Sequence, residues 1–117
     1  MPALYRPLSV RDFREEVRTF RWLRRVWRVD VHHTMTSAGD YSGLSTLEDL
    51  ARRHLEKCAQ AQPAYHVAVA PDGAIWTGRD WNMSPASVGC GMNVGVFMVA
   101  LIGNFDRGHD RLTTAQL

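Results

Sequence analysis

Two adjacent histidines and a threonine, His32, His33 and Thr34, end the run WRVDVHHT. Imidazole is a good ligand for zinc, and a catalytic zinc takes three protein ligands with a fourth position left open. A lone histidine where a strand reaches the surface is more often hydrogen-bonded than metal-bound. Neighbours on a strand point to opposite faces. Val29 and Val31 therefore share one face, Arg28, Asp30 and His32 share the other, and His33 is left to packing or to hydrogen bonding behind whatever His32 meets. The same alternation sets Tyr65 against His66 in AYHVAVA. His54 falls on the apolar face of a helical segment as a core or groove-edge residue, and His109 falls in a polar, solvated loop.

The elements that must carry these side chains can be read from period and punctuation. Ser9 and Asp12 resemble a helix-opening cap, and Val10, Phe13, Val17 and Phe20 recur at helical spacing behind them, which predicts an arginine-rich amphipathic helix over about residues 10 to 20. VWRVDVHH alternates as a strand. SAGDYSG is a loop by composition, and STLEDLARRHLEKCAQ puts Leu47, Leu50, Ala51, His54, Leu55 and Cys58 on one helical face, with Ser45 as a candidate cap. AYHVAVA and AIWTG flank PDG, a turn signal, so a hairpin follows. VGVFMVALIGNF is an almost unbroken apolar run bounded by glycines, the mark of a central strand covered on both faces. In LTTAQL, Thr113 or Thr114 caps a helix that has barely begun.

With 117 residues, 45% hydrophobic and 22% charged, the chain has the size and composition of one folded domain. The formal net charge is only +2, yet Arg6, Arg11, Arg14, Arg18, Arg21, Arg24, Arg25 and Arg28 all precede the histidine pair. Asp12, Glu15 and Glu16 interrupt that cluster and no nucleic-acid-binding motif accompanies it, so no specific nucleic acid is expected as a partner. Cys58 and Cys90 lack CxxC spacing and are expected as reduced thiols. No run reaches the length of a membrane span, and the N-terminus lacks the apolar stretch of a signal peptide, so synthesis in the cytoplasm is expected.

Taken in order, VDVHHT, AYHVAVAPDGAIWTGRDW, GMNVGVFMVALIGNFD and LTTAQL resemble the zinc-dependent N-acetylmuramoyl-L-alanine amidases, a family that includes phage amidase-type lysozymes and peptidoglycan recognition proteins. The resemblance runs from about residue 27 to the C-terminus. It implies an α/β fold, a mixed central β-sheet flanked by helices with a substrate groove across one side. It also implies that the C-terminal helix and last strand segment lie past Leu117, so that an amidase-like domain over residues 26–117, preceded by a basic helical segment over 1–25, is C-terminally incomplete.

By position in the family motifs, His32 is a zinc ligand and Tyr65 a catalytic residue, with His33 supporting His32. Two further ligands, a histidine and a cysteine or aspartate, belong to the segment after LTTAQL. Thr34, Arg79, Trp81 and Asn93 would bind substrate. Arg79 matches an arginine that reads a carboxylate of the peptide stem, and Trp81 would line the groove against a sugar or lactyl face. The implied reaction is cleavage of the amide between N-acetylmuramic acid and L-alanine by a water that Zn2+ activates. The alternative is a non-catalytic module that recognises muropeptides. Either would act at the cell wall, with peptidoglycan or a muropeptide as partner.

Overall fold

Ser9 starts the first helix as expected, its Oγ accepting the N–H of Asp12 at 3.1 Å. The computed structural model describes residues 5–58, 63–86 and 94–117. Among them are strand β1 (Pro7–Leu8), helix α1 (Val10–Thr19), strand β2 (Arg28–His33), helix α2 (Leu44–Cys58), hairpin strands β3 (Val67–Val69) and β4 (Ile75–Thr77), and strand β5 (Val96–Leu101). The five strands form one mixed sheet in the order β1-β4-β3-β5-β2. β5 runs parallel to both β2 and β3, while β4 is antiparallel to β3 and β1.

The hairpin turn needs its glycine, because Gly73 sits at φ +90, a region costly for residues with a Cβ. Asp72 completes the turn by accepting the N–H of Ala74 at 3.0 Å. β5 lies between two strands with a layer on each side, which explains its continuous apolar sequence. Two apolar clusters fill those layers. Leu47 of α2 packs with Tyr65, Ala68, Trp76, Met98, Ala100 and Ile102 on one face. Phe13 and Val17 of α1 pack with Leu8, Val67, Ile75, Trp81 and Phe97 on the other.

Strand β1 was not foreseen, since two residues carry no readable period. It pairs Pro7 with Trp76 and Leu8 with Ile75, and Arg6 clamps Glu16 of α1 through two contacts at 2.8 and 2.9 Å. Residues 5–25 thus contribute an edge strand and a helix that packs on the same sheet. α2 also differs from expectation at its start. It opens at Leu44 behind Gly43, so Ser45 lies inside the first turn, where its Oγ is 2.6 Å from that of Ser42. At the other end of the helix Cys58 is disulfide-bonded, which corrects the expectation of a reduced thiol: a CxxC spacing is not needed when the fold brings distant residues together. Cys90 lies outside the described residues. No helix among them is long and apolar enough to cross a membrane.

Candidate functional site

A straight row of paired residues crosses the α2 side of the sheet. His32 pairs with Ala100, Ala100 with Ala68, and Ala68 with Trp76. Between the large side chains at its two ends stand only methyl groups, and next to His32 the sheet is hollow. The result is a groove of about 320 Å³ between the end of β2 and helix α2. His32, His33 and Thr34 form one wall, and Met98 and Ala100 lie beneath. Leu50, His54 and Lys57 form the opposite wall. Their i, i+4, i+7 spacing puts them on a single helical stripe. Tyr65, with Ala64 and Ala86, completes the lining.

Tyr65 is only 7% exposed, and its hydroxyl is buried with no hydrogen-bond partner among the described residues. Burial pushes the phenol well above its ordinary pKa, with a smaller contribution from Tyr5, so it stays protonated. The strand pair behind it fixes its place. Its carbonyl accepts the N–H of Arg79 at 2.8 Å, and the next carbonyl, of His66, accepts the N–H of Gly78 at 2.9 Å. A Cβ at Gly78 would come within 2.8 Å of the Tyr65 carbonyl oxygen and 2.9 Å of its ring, so only glycine lets β4 lie this close. Gly78 is a positioning residue that motif reading passed over, although it stands next to Arg79 in TGRDW.

The neighbouring His66 serves the opposite face and is fully buried. Its Nδ1 accepts the N–H of Met98 at 3.0 Å, so its Nε2 carries the proton and donates to the Met83 carbonyl at 2.7 Å. Its ring stacks on Phe97 at 4.8 Å, and burial lowers its pKa to about 4, keeping it neutral. His33 braces the loop after β5: its Nδ1 accepts the N–H of Phe105 at 3.1 Å, and its Nε2 is 4.0 Å from Asp106. Thr34 ties the same corner, its Oγ1 accepting from the N–H groups of Gly103 at 3.2 Å and Thr36 at 3.3 Å.

Four of the residues singled out from sequence thus meet at one groove: His32, His33, Thr34 and Tyr65. Two do not. Arg79 is 2% exposed, and its guanidinium donates to the carbonyls of Pro63 at 2.7 Å and Ser84 at 2.8 Å, so it is a buried strut between loops and not a groove residue. Trp81 is 6% exposed on the far face, stacked with Trp22 at 5.9 Å and packed on Phe20 and Phe97. Both follow β4 in a stretch that reads as a loop, and burial of a loop is a tertiary fact that local sequence does not report. Asn93 lies outside the described residues. His54 does reach the groove edge, and Lys57 joins it there unforeseen, although its helical spacing from His54 was available as a signal.

Among the described residues, no group of three or more His, Cys, Asp or Glu side chains is placed to hold a metal ion. The groove brings His32 to one wall and His54 to the other, short of the three convergent ligands of a catalytic zinc.

The sequence profile described as N-acetylmuramoyl-L-alanine amidase matches residues 22–117. No curated protein sequence matches the chain. Among solved structures, the Drosophila peptidoglycan recognition protein PGRP-SA superposes with a TM-score of 0.66 at 26% sequence identity, over 81% of this chain and 54% of that one. The chain thus spans about half the length of that relative.

Proposed function

Given that the chain belongs to the N-acetylmuramoyl-L-alanine amidase family, we propose that its groove binds the muramoyl–peptide junction of peptidoglycan at the cell wall. The observation that carries this reading is Tyr65, a side chain of the groove lining whose buried hydroxyl has no partner among the described residues. Leaving such a group unsatisfied costs about 1–3 kcal/mol. A bound amide removes that cost by placing its carbonyl oxygen where the protonated phenol can donate to it. The same hydrogen bond would strengthen if negative charge developed on that oxygen. The likeness to a structure named for peptidoglycan recognition supports the ligand class.

A second reading, hydrolysis of the bound amide, is favoured by His32 and Tyr65 lining the same groove in a family described as amidases. The described donor set does not complete a catalytic zinc site. What His32 contributes from these residues is a single exposed imidazole beside the ligand.

Calorimetric titration with a synthetic muramyl peptide tests binding, and absence of binding would overturn both readings. Zinc stoichiometry and release of stem peptides from purified walls then separate the two. Binding without bound zinc or cleavage makes the domain a recognition module, whereas stoichiometric zinc with release of stems makes it an amidase.

A further inference from the structure

The small net charge of the chain conceals a division along it. Up to Val31 eight arginines stand against four carboxylates, and beyond it six cations stand against eight carboxylates. Three of the four early carboxylates are already neutralised, Glu16 by Arg6 at 2.8 Å, Glu15 by Arg18 at 2.7 Å and Asp30 by Arg28 at 3.0 Å. Arg11, Arg14, Arg21 and Arg25 enter no ion pair among the described residues, and all four are exposed. The stretch between α1 and β2 alternates. Phe20, Trp22 and Val26 pack into the apolar cluster on the α1 side, so Arg21, Leu23, Arg25 and Trp27 face outward. Leu23 is 73% exposed and Trp27 66%. The Trp27 indole lies against Gly95, where a Cβ would collide with the ring, and the Arg28 guanidinium stands 5.6 Å from the ring centre. Val29 and Val31, paired with Phe97 and Val99, continue this face and are exposed as well.

We propose that this surface docks on an anionic phospholipid bilayer, with Leu23 and Trp27 entering the headgroup layer while Arg21 and Arg25 pair with lipid phosphates. Apolar side chains interleaved with cations are what an interfacial binder presents, and either kind alone gives only marginal attachment. Tryptophan suits that depth because its ring is apolar and its N–H polar. A nucleic acid fits less well. Single strands are held by stacking their bases on exposed aromatic rings, and Leu23, Val29 and Val31 offer no ring to stack on. The groove lies on the other side of the sheet, since His32 reaches it from the same strand that turns Val29 and Val31 away. A protein docked through Leu23 and Trp27 would hold its groove turned from the bilayer, so both surfaces can be occupied at once.

The test sediments the full chain with vesicles containing phosphatidylglycerol and with vesicles of phosphatidylcholine alone, in wild type, Leu23→Gln and the Arg21→Gln, Arg25→Gln double variant. Circular dichroism checks each fold. Wild type is expected to bind the anionic vesicles roughly a hundredfold more tightly than the neutral ones, with a blue shift of tryptophan fluorescence that Trp27→Phe removes. The double variant should lose about thirtyfold of the anionic binding, and Leu23→Gln about tenfold. Absence of binding to anionic vesicles by folded wild type, or equal binding to both kinds, would overturn the proposal. Binding that survives both variants, or a blue shift that survives Trp27→Phe, would do the same. Two rival occupants are read in the same series. Tighter binding to single-stranded DNA, undiminished in Leu23→Gln, would assign the arginines to nucleic acid, and a wild-type dimer that Leu23→Gln dissociates would assign the surface to a second copy; either result overturns the bilayer assignment.

Discussion

The two faces of the sheet are built from the same strands and end up opposite in character. On the α1 side, Phe97 meets Trp22, Trp81 and Phe13 at ring separations of 6.1, 5.5 and 6.5 Å, and Phe20 closes on Trp81 at 5.1 Å. On the α2 side the adjacent positions of β5 and β3 carry Met98, Ala100 and Ala68, and next to His32 a groove remains. Strand parity assigns each residue to a face, so side-chain size at alternate positions decides which face is sealed and which is hollow. The neighbours Tyr65 and His66 show the contrast in miniature. His66 on the sealed side has both ring nitrogens satisfied, while the hydroxyl of Tyr65 has no partner among the described residues.

That contrast can be broken experimentally. Trp81→Ala on the sealed face should cost about 3–5 kcal/mol of folding stability, the usual range for removing a large buried aromatic. Urea unfolding measures it, and a small stability loss accompanied by a large loss of muropeptide affinity would return Trp81 to the groove. Arg79→Met should cost about 2–3 kcal/mol, because it strands two buried carbonyls. The folded fraction should bind muropeptide with wild-type affinity, and a variant of full stability with weakened binding would contradict the strut assignment.

Acid should attack the sealed face next. The pKa of His66 is lowered in the fold from an ordinary 6.5 to about 4, so below 6.5 the unfolded chain takes up a proton that the folded chain resists. The associated stability is complete above that ordinary value and falls as the pH drops toward 4. Between about pH 7 and about pH 5 the loss should be about 2 kcal/mol. Urea midpoints that stay flat across this window would remove the account.

The smallest effect belongs to the hollow face. Tyr65→Phe removes an unsatisfied hydroxyl, so the free protein should keep its stability or gain about 1 kcal/mol while muropeptide affinity falls about tenfold. A destabilised variant would mean that the hydroxyl already has a partner within the protein.

The elements with a long period were legible in sequence. β2 and β5 lie where alternation and apolar continuity put them, and α1 ends within a residue of its expected limit. β1 was not legible, because Pro7 and Leu8 are recognisable as a strand only through their partners Trp76 and Ile75. The site divides in the same way. His32 and Tyr65 sit on strand ends or beside them, where parity specifies a face, and both reach the groove. Arg79 and Trp81 follow β4 without a period, and their burial depends on Pro63, Ser84 and the α1 aromatics, none of which is near them in pattern.

The pairing of β2 with β5 also sets an order in time. β3 and β4 meet across a short turn, but β2 joins the sheet only when Arg28 finds Val96 far along the chain and β5 already lies beside β3. Non-local parallel pairing is slow because a long loop must close before any contact repays it. One wall of the groove, like the β1 edge that pairs Pro7 with Trp76, is therefore expected to assemble later than the β3–β4 hairpin. Backbone amides of Val29 to His33 should exchange with solvent sooner than those of β3, and a ligand bridging His32 and α2 would act as a clasp that slows their release.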